Sequence, residues 1–209
     1  MSKSAENVTL SENKIYLPRP QCDGAVSLEK TLLHRRSVRE FSSRRLELWH
    51  ISQLAWAAQG ITGADGYRTA PSAGALFPLE IYVTVGNVIG LAPGIYKYGI
   101  RNHDLIQWLP GDKRRQLCAA ALSQDSILRA PVVFILSAIY ERTTAKYGER
   151  GIRYVHMEAG HAAQNLLLQA AALNLGAVLV GAFDDLEVKR ILNLKTQEAP
   201  LYLIPVGKP

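Results

Sequence analysis

The run Ala130-Pro131-Val132-Val133-Phe134-Ile135-Leu136-Ser137-Ala138-Ile139 constrains the fold more than any other feature of this chain. It is almost continuously apolar and rich in β-branched residues, and far short of the roughly 20 residues a membrane helix needs. Strands read this way when both of their faces are buried. Residues 177–183 and 200–206 carry the same signature. Between them, residues 151–175 space their apolar positions as one long helix, closed by Gly176. Small residues line that helix at Ala159, Gly160, Ala163 and Ala170, so another backbone can approach closely. A helix apolar over most of its circumference is buried centrally. It is expected either in the chain's own core or at a subunit interface, with a dimer interface favoured.

The rest of the chain mixes helices and strands. Ser27 is placed to cap a short helix ending at His34. Leu48, Ile51, Leu54, Ala55 and Ala58 recur at helical spacing within 46–59, and Gly60 supplies the stop. A strand is expected over 79–85, and a hairpin from 94–98 and 105–109. Helices are expected over 113–122 and from Asp184 or Asp185 to Leu192. This mixture makes the class α+β or α/β with a mixed sheet. The domain reading is one domain over 27–209, preceded by a polar arm, 1–26, that frays or packs on a neighbour.

Composition narrows the function. The 209 residues are 48% hydrophobic and 20% charged, too apolar for a disordered chain and too charged for a membrane protein. Cys22 and Cys118 form no CxxC pair, which excludes a zinc ribbon and a dithiol redox motif. Two isolated thiols, with no apolar signal segment at the N-terminus, point to the cytoplasm. The net charge of +6 permits an anionic ligand. Nucleic acid is a poor candidate, because only one short basic cluster occurs and no aromatics are interleaved with it.

That cluster is Arg35-Arg36-Ser37-Val38-Arg39. Three guanidiniums and a hydroxyl at a helix-to-loop junction suit a phosphate, because arginine grips it with forked donors. A solvated basic turn is the plain alternative, and Arg44-Arg45 nearby supports it. The loop around Pro71, Ser72, Ala73 and Gly74 lets backbone N–H groups approach a ligand. The stretch Val180-Gly181-Ala182 leads from a strand end into a helix cap, with the same potential. Lys146-Tyr147 could move a proton, or could be a charged surface turn. Two ExxH pairs, ending at His50 and His161, lack the further helical glutamates of a di-metal site. No GxGxxG, P-loop or GxSxG motif is present.

Taken in order, RRSVREF, RTAPSAGALFPLEIYV, PGIYKY, the stretch from KYGERGIRYVHMEAGHAAQN to GAFDD, and PLYLIPVGKP closely resemble the nitroreductase family, and more narrowly its SagB-type dehydrogenase branch. The resemblance implies an α+β nitroreductase-like fold with a central, mainly antiparallel mixed sheet wrapped by helices. It also implies an intertwined homodimer with FMN at the subunit interface. Arg35, Arg36, Ser37 and Arg39 match the motif gripping the FMN phosphate and ribityl end. Pro71, Ser72, Ala73 and Gly74 match the loop reaching the flavin from the partner subunit. Val180, Gly181 and Ala182 match the turn facing flavin N5. Lys208 matches a basic residue near the phosphate, and Gln124 one that bonds the isoalloxazine edge. Lys146 and Tyr147 match the catalytic pair of azoline-oxidising members. The implied activity is hydride transfer through FMN, either NAD(P)H-linked reduction of nitroaromatic or quinone-like acceptors or SagB-type dehydrogenation. Azoline oxidation in a modified peptide and non-redox FMN binding are the alternatives. The chain offers little beyond the core domain for recruiting a peptide.

Overall fold

The apolar run forms a strand of eight residues whose two faces are both covered. The computed structural model describes residues 14–209. In chain order its elements are β1 (Lys14–Tyr16), α1 (Leu28–His34), β2 (Leu46–Glu47), α2 (Leu48–Gln59), β3 (Leu79–Val85), β4 (Val88–Ile89), β5 (Gly94–Gly99), β6 (Asp104–Pro110), α3 (Arg114–Ala120), α4 (Asp125–Arg129), β7 (Val132–Ile139), α5 (Glu141–Tyr147), α6 (Arg150–Ala172), β8 (Gly176–Ala177), α7 (Asp185–Leu192) and β9 (Glu198–Gly207). Seven strands make one sheet in the order β1-β6-β5-β3-β7-β9-β8, with every pairing antiparallel. β2 and β4 form a separate parallel pair. The fold is α+β.

Alternation along β7 explains why its sequence shows none. Val132, Phe134, Leu136 and Ala138 enter one core, with Leu54 and Ala58 of α2 and Val155, Ala159 and Leu166 of α6. Val133 and Ile135 enter a second core on the opposite face, with Leu117 of α3 and Val188 and Leu192 of α7. Each fully buried aliphatic side chain of this kind contributes about 1.5–3 kcal/mol, so a helical layer on each face favours apolar residues along the strand; Ser137, its one polar residue, is buried with its hydroxyl bonded to Glu198.

Local chemistry sets several boundaries. Ser27 accepts from the N–H of Lys30 and starts α1. Asp184 accepts from the N–H of Glu187 and starts α7. The small residues of α6 are used within the chain: Ala159, Ala162, Ala163 and Ala170 are buried, while Ile152 and Met157 stay exposed.

Three expectations need correction. The helix expected from residue 46 begins at Leu48, because Leu46 and Glu47 pair with Val88 and Ile89. The strand expected over 177–183 reduces to Gly176–Ala177 and a single bridge from Val180 to Leu203. The described part of the arm is pinned to its own domain. β1 pairs with β6, and the Gln21 backbone and Gln53 side chain exchange hydrogen bonds of 2.8 and 2.9 Å. Residues 1–13 lie outside the described residues.

Candidate active site

The basic segment leaves α1 and runs along the sheet edge. Ser37 bridges to Ala177 in parallel, and Val38 N–H donates to the Ala177 carbonyl at 3.0 Å. Gly176 permits this approach, because a Cβ there would lie 2.5 Å from Val38 Cγ1. Farther along, Ser42 N–H and Oγ both donate to the Lys208 carbonyl, at 2.8 and 3.2 Å. Residues 35–39 thus run along the β8–β9 edge, with Lys208 held nearby through Ser42. A cleft of about 250 Å³ opens there, lined by Arg35, Arg36, Val38, Gly176 and Ala177. Arg36 Nη1 donates to the Leu33 and Arg35 carbonyls at 2.9 and 2.8 Å, which fixes the side chain. Guanidinium has five N–H donors, so Nη2 and Nε stay available to an anion. Lys208 also lies near His50, and burial followed by that positive charge lowers the His50 pKa.

From Ala177 the chain continues to an exposed turn at Gly181 and Ala182. Val180 and Leu203 exchange backbone hydrogen bonds of 2.8 and 3.0 Å just before it. Four extended residues span at most about 14 Å, which bounds the distance of this turn from Ala177. Gln124 Nε2 donates to the Ala182 carbonyl and to that of Ala121, both at 3.1 Å. Leu122 and Ser123 just ahead of it adopt φ of +54° and +57°. Two successive non-glycine residues in the left-handed region store strain, of the kind that clusters at functional sites.

The second group forms around the 71–77 loop. Phe77 N–H donates to Ser72 Oγ at 2.9 Å and closes the loop over a 3-10 turn, Ala73–Ala75. Gly74 has φ +62°, and a Cβ there would lie 2.8 Å from the Tyr147 hydroxyl and 3.1 Å from Lys146 Nζ. Lys146 and Tyr147 form the last turn of α5, so the expected surface turn is a helix. Arg142, one turn earlier, donates to the Phe77 carbonyl at 3.1 Å and pairs with Glu80 at 2.5 Å. Lys97 pairs with the other Glu80 oxygen at 3.0 Å. Burial opposes the Glu80 charge, but the two cations hold its carboxyl below the usual range.

Residue spacing did not reveal the support under this loop. Glu158 of α6 is buried, and burial pushes its carboxyl up against the opposing effects of Ser72, Arg68 and Gln59. Arg68 donates to Gln59 Oε1 at 3.0 Å and lies 4.1 Å over the Phe77 ring. The sequence signal available was the position of Glu158 on the same helical face as Val155, Ala159 and Ala162. Its partners Gln59 and Arg68 are too distant in sequence for spacing to connect them.

Each chain thus carries two separate groups. Among the described residues, no hydrogen bond or ion pair joins the basic edge and the Val180-Gly181-Ala182 turn to the 71–77 loop and α5. The basic edge and the 71–77 loop sit toward opposite ends of β7, with the Val180-Gly181-Ala182 turn between them, because Val180 bridges Leu203, which pairs with Ile135 near the middle of the strand. Val132 pairs with Val206, beside Gly207 and Lys208, whereas Ile139 N–H bonds the Pro78 carbonyl beside the loop. Seven strand steps at about 3.3 Å make this roughly 23 Å.

The Nitroreductase family model matches residues 32–208, and the chain belongs to that family. A nitroreductase-family protein of Methanocaldococcus jannaschii is 50% identical over 183 residues, 88% of this chain and 91% of that one. The crystal structure of a nitroreductase-family protein from Ralstonia eutropha JMP134 superposes with a TM-score of 0.82 at 30% identity, covering 96% of this chain and 91% of that one. The trifolitoxin-processing protein TfxB of Rhizobium leguminosarum bv. trifolii is 33% identical over 138 residues, 64% of this chain and 37% of its own length.

Proposed function

We propose that this protein is an FMN-dependent oxidoreductase that works as a homodimer, with each flavin held between a basic edge of one copy and the 71–74 loop of the other. The observation that carries this reading is the division of the site. Anion-binding donors lie at one end of β7 and the Lys146-Tyr147 pair at the other, so one copy presents two half-sites. An exposed apolar surface on α1 and α6 supports association. Leu28, Leu32 and Leu33 are 60%, 53% and 63% exposed, and Met157 of α6 is 52% exposed. Side chains this apolar are buried when a partner covers them.

The residues present suit FMN. Arg35, Arg36, Arg39 and Lys208, with the Ser37 hydroxyl, offer charge-assisted donors for a phosphate. The exposed backbone of Gly181 and Ala182 offers N–H donors to a planar, electron-rich ring edge. Gln124 orients that turn through the Ala182 carbonyl. Bound FMN would supply two-electron hydride chemistry at N5. The cationic edge and the turn donors favour the charge that accumulates on reduction. Gly74 leaves room for Lys146 and Tyr147 to face the substrate and handle the accompanying proton. Two electron sources fit this site. With NAD(P)H as donor, the acceptor is a nitroaromatic or quinone-like compound.

A second reading is favoured by one observation. The Lys146-Tyr147 pair abuts the flavin-facing loop at Gly74, which suits removal of hydrogen from a thiazoline or oxazoline in a modified peptide. The likeness to a trifolitoxin-processing protein points the same way. Incubation of the oxidised protein with an azoline-bearing peptide separates the two: azole formation selects this reading, and reduction by NAD(P)H alone selects the first.

The visible spectrum of the purified protein tests the shared core. Flavin bands are expected, bleaching anaerobically with NAD(P)H or with an azoline substrate. Arg36→Ala together with Arg39→Ala is expected to give colourless protein. Stoichiometric FMN in that variant would sink the phosphate assignment.

A further inference from the structure

α5 is too short to stand on propensity alone, since isolated helices below about 12–15 residues are marginal in water. It has seven residues, no side-chain N-cap bond, and one buried side chain, Thr143. The Thr143 hydroxyl has no hydrogen-bond partner, so it supplies little anchorage. Tyr147 packs edge-on against Tyr154 of α6 at 5.1 Å between centroids, and two further features hold the helix. At one side Gly151 of α6 lies so close that a Cβ there would be 2.9 Å from Thr144 Cα. At the other, Arg142 bridges to the Phe77 carbonyl and to Glu80. Arg142 and Lys146 are one helical turn apart and so share a face. That face lies along the loop, with Arg142 at Phe77 and Lys146 at Gly74. Glu80 is in turn fixed from β5 by Lys97. The chain of contacts runs from the rigid sheet through Glu80 to Arg142, and along α5 to Lys146 and Tyr147.

We propose that Arg142, braced by Glu80, is a positioning residue that tethers α5 to the 74–77 loop and thereby sets Lys146 and Tyr147 against the flavin-facing Gly74. The inference deepens the reading above and rests on it for the catalytic meaning of the pair, but the tether itself is a property of the protein without flavin. Arginine is required because its planar fork reaches a carbonyl and a carboxylate together. Lysine at 142 can satisfy one of them at a time.

Amide exchange in flavin-free protein and turnover in flavin-loaded protein test this together. In Arg142→Ala the amides of residues 141–148 should exchange about tenfold faster or more, as local opening does, with α6 and β7 unchanged. Flavin content and KM should hold, while kcat falls about tenfold or more as a displaced catalytic pair predicts. Arg142→Lys should recover part of both losses. Glu80→Gln should reproduce them, and the double variant should add little, because the two residues act as one unit. Unchanged exchange in α5 overturns the tether whatever the flavin does. Faster exchange spread equally over α6 and β7 also overturns it, as general destabilisation. Faster α5 exchange with undiminished kcat overturns the positioning role. Wild-type protein that binds no flavin overturns the functional reading alone, and the exchange result still decides the tether.

Discussion

Replacing Gly74 with alanine separates stability from catalysis, because the two costs arise from different atoms. The backbone at 74 has φ +62°, in the left-handed region. A residue with a Cβ is disfavoured there by about 1–2 kcal/mol. For a domain of this size that corresponds to a fall in Tm of about 2–8 °C. The new methyl would also stand 2.8 Å from the Tyr147 hydroxyl and 3.1 Å from Lys146 Nζ. The lysine end can swing aside at little cost, since Lys146 is exposed. The Tyr147 ring is less free, because it packs edge-on against Tyr154 at 5.1 Å between centroids. Its hydroxyl must retreat by about 0.6 Å to reach an ordinary contact, and displacements approaching 1 Å at a reacting group cost up to about 100-fold in rate. Scanning calorimetry on flavin-free protein should show the modest loss in Tm. Stopped-flow turnover at saturating FMN should show kcat reduced about tenfold or more. A variant with the expected Tm loss and wild-type kcat would refute the placement of Lys146-Tyr147 at the reacting centre. A variant unchanged in both would refute the left-handed geometry of the loop.

Two further perturbations probe other parts of the molecule. Gly176→Ala drives a methyl to 2.5 Å from Val38 Cγ1 and 2.7 Å from its Cβ. Overpacking of this kind costs about 1–3 kcal/mol, and the displaced 35–39 segment should also weaken FMN binding measured by flavin fluorescence. Val38→Ala in the same chain should restore part of both, and no restoration would locate the damage elsewhere. His103 bonds Ser52 Oγ and the Pro18 carbonyl through Nε2 and the Tyr98 hydroxyl through Nδ1, and burial lowers its pKa despite Asp104 nearby. A base with a depressed folded-state pKa stabilises the fold above its unfolded value, near 6.5. That contribution disappears as pH falls. Tm should therefore drop between about pH 7 and pH 5, and His103→Gln should flatten the slope in part, because His50 is shifted the same way. An identical slope in the variant would show that His103 does not couple to folding.

What was legible in the sequence follows from where side chains are buried. β7 could be read because apolar cores cover both of its faces, leaving Ser137, bonded to Glu198, as its one polar residue. Ser27 and Asp184 could be read because a cap is a bond between neighbours in sequence. The basic segment could be located because its donors are consecutive, whereas Lys208 is held near it by the Ser42 N–H and hydroxyl, both donating to its carbonyl from 166 residues away. The apolar run overstates the length of β8, because apolar content measures burial rather than ladder pairing. Val178 and Val180 are buried in the core shared with α3 and α7, while the strand itself stops at Ala177. α5 offers no apolar period to detect, because only Thr143 of its seven residues is buried. Its contacts are instead those of Arg142 with Phe77 and Glu80, the close approach of Gly151 and the packing of Tyr147 on Tyr154, none of which leaves an apolar period. The same holds for Glu158, whose Gln59 partner is 99 residues away. The basic edge is thus the readable half of the candidate site, since its donors are consecutive in the sequence. The half around Gly74 is held by long-range polar contacts, and only the folded molecule reveals them.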